Sequence, residues 1–279
     1  MDQSKIRFGL NYIDTASPLH RLSGVTKFAL FIYWITVVLT TFDLRILAGM
    51  LFFGLLLIVL SRVPFRIYRP FLLFMIYILI MNSLFMFLFA PMQGVEYMGS
   101  KTVLFVITER YTVTRETLFY LLVIAVKHFS IFPMALLFVF TTHPTEFASS
   151  LNRIGVPYKV AYSVSLTLRY LPEITKDFVN IMQSQQARGV DISKNVPLKQ
   201  RITNVTRVLI PLLLSSLDKA EVISNAMSLR GFGTEKKRTW YNARPLAKGD
   251  AIVFTAMALF LIFAVWMKRN LGTMFWYPF

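Results

Sequence analysis

Five apolar runs limit what this chain can become. Val25 to Thr41, Leu44 to Leu60, Phe71 to Ala90, Leu118 to Phe140 and Ala251 to Met267 each approach the length of a membrane crossing. A helix needs about 20 mostly apolar residues to cross the hydrocarbon of a bilayer. Only 16% of the residues are charged, and the mean hydropathy is +0.57. A soluble domain carries a charged share of about 25%. The fold class is therefore an all-α polytopic membrane protein. It has five transmembrane helices, or six if the apolar stretch Val208 to Leu217 also crosses. That stretch is too short to span alone, which favours five.

The loops carry the charge, +16 in total. In a membrane protein such an excess marks loops facing the cytoplasm and anionic lipid, and not nucleic-acid binding. The N-terminal arm holds Lys5, Arg7 and Arg21, and no cleavable leader pattern precedes Val25. The loop after the second run holds Arg62, Arg66 and Arg69 with no acid. Pro91 to Thr117, by contrast, is charge-balanced, and its Val103-to-Ile107 and Tyr111-to-Thr114 runs read as a small hairpin. The positive-inside rule places the arm and the arginine loop in the cytoplasm. Four expected regions follow: a cytoplasmic arm over 1–24, four transmembrane helices over 25–140, a cytoplasmic region over 141–250, and a last transmembrane helix with its tail over 251–279. Lys268 and Arg269 then fall outside, against the rule. The motif Ser17-Pro18-Leu19-His20-Arg21-Leu22, with Lys27 beyond it, reads as a turn with headgroup anchors.

The region from His143 to Gly233 reads as two amphipathic arms. Pro157 suits the first turn of a helix. Val160, Val164, Leu168 and Leu171 then recur at helical spacing, with small Ala161 and Ser165 one turn apart. In the second arm Ile202, Val205, Leu209, Leu212, Ser216 and Ala220 share a face, with Arg201, Asn204 and Arg207 mostly off it. Pro172 and Pro211 are expected to bend their arms. Both arms are expected to lie along the membrane boundary. Their endings repeat: Gln185-Gln186-Ala187-Arg188-Gly189 and Met227-Ser228-Leu229-Arg230-Gly231. An arginine in a last helical turn followed by glycine is a helix cap. Two such tips on one scaffold also suit two acidic pockets on a two-subunit partner, because arginine presents a fork of donors to a carboxylate. Both readings stay open on the residues alone.

Catalytic patterns are absent. No GxxxxGK[ST], GxSxG, HExxH or CxxC occurs, so an enzyme is not expected. There are no cysteines, and the three histidines (His20, His128, His143) are far apart. No bound metal is expected. Lys127 lies inside the fourth apolar run. A charge there is costly and marks a functional residue by default. It supports an alternative: a self-sufficient secondary transporter or channel with Lys127 as its intramembrane coupling charge. The bland reading is that Lys127 snorkels or meets a carbonyl.

Taken together, the motifs resemble a known family. They are Ser17-Pro18-Leu19-His20-Arg21-Leu22 with Thr26-Lys27, Thr141-Thr142 with Pro144-Thr145-Glu146, Leu168-Arg169-Tyr170-Leu171-Pro172-Glu173, the two Arg-Gly endings, Pro211-Leu212-Leu213, Ser215-Ser216-Leu217 and Phe232. In this order and spacing the chain resembles the transmembrane T component of energy-coupling factor (ECF) transporters, in the cobalt-transport transmembrane family. The resemblance implies a non-catalytic scaffold in a bacterial or archaeal inner membrane. Its partners would be two ABC-type ATPases, which hold the ATP and Mg, and a small membrane-embedded substrate-binding S component. Ala187, Arg188 and Gly189 would form the first ATPase-coupling motif. Leu229, Arg230 and Gly231 would form the second, with Leu229 where the family commonly has alanine. The long faces of the arms, with Val160, Val164, Leu168, Val205, Leu209 and Leu212, would meet the S component. ATP-driven closure would move the arms, tilt the S component and release a vitamin or metal ion inside.

Overall fold

The structure is a computed structural model, and it describes residues 17–106, 111–191, 196–235, 239–240 and 243–271. Most of the N-terminal arm, with Lys5 and Arg7, lies outside the described residues, as does Ile107 of the expected hairpin. The chain divides into two compact units, one of which is Pro144–Ala243 and the other of which includes 17–143 and 244–271.

In the second of these, α1 (Gly24–Thr40) starts where the Ser23 side chain accepts from Thr26 N–H, and α2 (Leu44–Ser61) where Asp43 accepts from Arg45 N–H. Each cap satisfies a donor that the first helical turn leaves without a partner. Then come α3 (Phe65–Phe89), α4 (Gln93–Met98), β1 (Val103–Val106), β2 (Thr112–Thr114), α5 (Arg115–Thr141) and, after the other unit, α9 (Lys248–Leu271). Four helices, α2, α3, α5 and α9, are long and apolar enough to cross a membrane, and α1 is a shorter apolar helix. These are the five expected runs. Three starts moved, the fourth run's from Leu118 to Arg115 among them. The third helix begins at Phe65, so Arg66 and Arg69 lie on it and Pro70 lies inside it. The fifth begins at Lys248. Charged first turns at headgroup level lower the local hydropathy without ending the helix, so an apolar-run reading starts too late.

Helix α5 is the axis of this unit. Val123, Met134 and Leu137 of α5 are buried with Trp34 and Val38 of α1 and Leu47 and Met50 of α2. Trp34 Nε1 donates to Ser130 O at 2.8 Å, and Ser130 Oγ donates to Leu47 O at 3.0 Å. A Cβ on Gly54 would sit 3.1 Å from Pro133 Cβ and 3.3 Å from Trp34 Cζ2, so α2 packs closely there. On α3 only Tyr68 and Met75 are buried, and its exposed apolar surface suits lipid.

The expected hairpin forms, with β1 antiparallel to β2 and Val106 opposite Thr112. Beside it, Glu116 is fully buried and accepts from Thr102 N–H, Thr102 Oγ1 and Ser100 Oγ. Gly94 of α4 makes this possible. A Cβ there would fall 2.5 Å from Glu116 O and 2.6 Å from Thr117 Cα, both backbone atoms. Gly94→Ala is expected to destabilise the chain by about 1–3 kcal/mol, the usual cost of overpacking. Thermal unfolding in detergent checks it; an unchanged midpoint would mean α4 moves aside freely.

The other unit contains α6 (Pro144–Arg153), α7 (Tyr158–Ala187) and α8 (Leu198–Leu229). The sequence reading did not separate α6 as a helix. Its signal was Pro144 at the first helical position with Glu146 in the first turn. Both long helices run through their prolines, Pro172 and Pro211. Having no N–H, these prolines cannot bond the carbonyls of Leu168 and Arg207, the weak points of each helix. Neither helix is among those that are, by length and composition, apolar enough to cross a membrane.

Candidate functional site

α7 and α8 end in the same way. Arg188 and Arg230 are the C-cap residues, with φ −89°, ψ 12° and φ −86°, ψ 12°. Gly189 and Gly231 follow with φ +82° and +68°. Gly189 N–H donates to Gln186 O at 2.9 Å, and Val190 N–H to Gln185 O at 3.0 Å. Gly231 N–H donates to Ser228 O at 3.0 Å, and Phe232 N–H to Met227 O at 2.9 Å. This nested pair of bonds is a Schellman cap, and its left-handed residue is normally glycine. Nothing lies within 4 Å of a Cβ at Gly189, so backbone conformation and not space calls for glycine there.

The caps leave both arginine side chains exposed, with no hydrogen bond or ion pair to any described residue. Ala187 is exposed as well, and Leu229 is 91% exposed. These side chains are presented outward, while the residues just after them anchor the helix ends. Val190 is buried, and Asn204 near the start of α8 donates to Asp191 O at 2.6 Å. At the other end Phe232 packs against Tyr162 at 4.7 Å and Tyr158 at 5.9 Å, near the start of α7. Trp240 lies 5.5 Å from Tyr158 and donates through Nε1 to Asn152 Oδ1 at 3.1 Å. The end of each arm is thus fastened to the base of the other, so α7 and α8 run antiparallel.

Midway, Lys219 of α8 bridges Glu173 at 3.1 Å and Asp177 at 2.5 Å on α7. The hydrogen bond to Asp177, followed by that to Glu173, raises the Lys219 pKa above its ordinary value. Beside this bridge is a groove of about 390 Å³ between the helices, lined by Tyr170, Ile174, Ile223 and Met227 among others. The apolar faces differ from those expected. On α8 the inward positions include Asn204 and Val208, both buried, and Val205, Leu212 and Ser216 are half-buried. Ile202, Leu209, Leu213 and Leu217 are exposed. Asn204 turns inward because its amide serves the Asp191 carbonyl, which helical periodicity could not reveal. On α7, Val160 is exposed while Val164 and Leu168 are half-buried.

Lys127 meets a helix end. Its ammonium donates to Leu39 O at 2.8 Å and lies 3.7 Å from the centroid of the Phe42 ring. Leu39 is in the last turn of α1, where carbonyls lack helical donors and the helix dipole is negative. Among the described residues Lys127 has no carboxylate partner, and neighbouring His128 bonds to Ile124 O of its own helix. Lys127→Met is accordingly expected to lower stability by about 1.5–3 kcal/mol, the worth of a charged hydrogen bond, and to leave transport with partners intact. Paired uptake and melting measurements check it; abolished uptake in a fully folded variant would restore Lys127 as a coupling charge. Also among the described residues, no three metal-ligating side chains cluster.

One constellation was misread from sequence. Lys27 and His20 are buried, not headgroup anchors. Ser17 Oγ lies 2.7 Å from His20 Nδ1. Lys27 Nζ donates to Thr141 O at 2.9 Å and to His20 O at 3.4 Å, and Arg244 also donates to His20 O. Asp250 accepts from Ser23 N–H at 2.9 Å and Ala247 N–H at 2.7 Å. This polar knot joins the N-terminal turn, α1, the end of α5 and the start of α9. The available signal was the motif's own mixture of leucines with Ser, His and Lys.

Comparison with known proteins accords with the helices and motifs. The family model described as cobalt transport protein (CbiQ) matches residues 15–241. The chain is 27% identical over 259 residues to the energy-coupling factor transporter transmembrane protein EcfT of Leuconostoc gelidum, covering 90% of this chain and 93% of that protein. It is 30% identical over 273 residues to the protein of the same name from Bacillus selenitireducens, covering 94% and 96%. The EcfT of Bacillus subtilis is 26% identical, covering 88% and 92%. With most of its length matched and its apolar helices in place, the chain belongs to the cobalt transport protein family, as an integral membrane component of the ECF transporter type.

Proposed function

We propose that the chain is the non-catalytic scaffold that transmits the motion of two ATPases to a substrate-binding S component. The observation that carries this reading is the pair of like-built helix ends, each presenting an exposed arginine that the fold itself does not use. Two equal tips suit a two-subunit partner with an acidic pocket in each half. ATP and Mg belong to those partners. The exposed stripe of Ile202, Leu209, Leu213 and Leu217 on α8 offers an apolar surface to the S component, with Val160, Val164, Leu168, Val205 and Leu212 supporting it. Pro172 and Pro211 are the places where the arms bend or flex. The arginine-rich side, the coupling unit and the N-terminus face the cytoplasm of a bacterial or archaeal cell. The cargo is a vitamin or metal ion bound by the S component.

The test is affinity purification of the tagged chain from its native membrane in mild detergent, with mass spectrometry of the proteins retained. Two ABC-type ATPases and at least one small hydrophobic protein are expected. Recovery of the chain alone from several detergents, together with ATP-independent uptake in liposomes, would overturn the reading.

A further inference from the structure

Two cavities lie on the same three helices of the membrane unit, one above the other. The first is a groove of about 640 Å³ lined by Arg21, Arg62 and Lys248, together with Ser17, Pro18 and Gly249. Its cations come from the turn before α1, the end of α2 and the start of α9, so it lies where three spans leave the bilayer. The second is a groove of about 270 Å³ with an almost wholly apolar lining. It runs between α1, α2 and α9, past Trp34, Phe53, Leu57, Ile252, Ala256 and Phe260. At about 1.5 Å per residue, Ile252 lies roughly 6 Å and Phe260 roughly 18 Å along α9 from Lys248. The apolar groove thus begins just below the cationic one and continues to hydrocarbon depth.

We propose that these two grooves form one site for an anionic phospholipid, with its phosphate among Arg21, Arg62 and Lys248 and one acyl chain between α2 and α9. Basic pockets at the membrane surface attract acidic headgroups. The one nearby carboxylate on α9, Asp250, is buried and turned towards Ser23 N–H and Ala247 N–H. The site does not depend on the coupling reading, because it involves neither arm.

The test is native mass spectrometry of the delipidated full chain titrated with phosphatidylglycerol, phosphatidylcholine or inorganic phosphate. Phosphatidylglycerol is expected to be retained over phosphatidylcholine by roughly 100-fold, the combined effect of three surface cations. Arg21→Gln/Arg62→Asn/Lys248→Gln should abolish that preference; asparagine at 62 tolerates the left-handed backbone there, φ +56°. Ala256→Trp fills the apolar groove away from the charges, and it should weaken retention of phosphatidylglycerol at least tenfold without touching the cations. Equal retention of both lipids, or a preference that survives the triple change, would overturn the proposal. So would inorganic phosphate competing fully with the lipid while Ala256→Trp has no effect, since the anion site would then be independent of lipid.

Discussion

Arg188→Ala and Arg230→Ala should each leave the chain folded and yet detach it from the ATPases proposed as its partners. Both side chains are exposed, and the caps behind them use backbone groups and glycine. Removing a C-terminal cation forfeits about 0.3–1 kcal/mol of helix-dipole interaction, and no more is expected in the isolated chain. In a docked complex the arginine would be desolvated against a carboxylate, and truncating one side of such a pair costs roughly 2–5 kcal/mol. At tenfold per about 1.4 kcal/mol, each variant should lose on the order of 30- to 3,000-fold in docking affinity. The tips fall 42 residues apart on separate helices, so their effects should add, and the double variant should neither assemble nor transport. Arg→Lys changes should recover only part of the loss, because lysine keeps the charge without the bidentate fork. Co-purification, ATP-driven uptake and thermal melting must be read together. Full uptake by the double variant would remove the coupling role from both arginines.

The second large effect is expected at Lys27, for the opposite reason. It is 2% exposed, and its ammonium bonds two backbone carbonyls, those of Thr141 and His20. Lys27→Met keeps the aliphatic stem and removes the donor. The Thr141 carbonyl then loses its ammonium partner, at about 1–3 kcal/mol, while His20 O keeps its bond from Arg244. A loss of roughly 1–3 kcal/mol corresponds to a melting shift of about 2–12 °C for a chain of this size. Fluorescence-detected size exclusion after heating would measure it. Parent-like thermal behaviour would mean that water enters to replace the ammonium, and that the knot contributes little to stability.

These two arginines and this lysine differ in how far they could be read beforehand. Sequence alone determined the spans, because crossing a bilayer depends on summed hydropathy over about 20 residues. It determined the Arg-Gly caps for the same reason of locality, since a Schellman cap closes within six residues and needs only a glycine able to adopt positive φ. The hairpin beside α5 was legible by its β-branched runs. Tertiary structure alone decided the rest. Lys27 is buried because Thr141, 114 residues away, brings a carbonyl to it. Lys127 is accommodated by the end of a helix 88 residues earlier. Asn204 faces inward because the end of α7 folds back over it. Each of these outcomes rests on a backbone carbonyl delivered from elsewhere in the chain. A polar group's cost depends on whether such a partner arrives, and no local pattern carries that information.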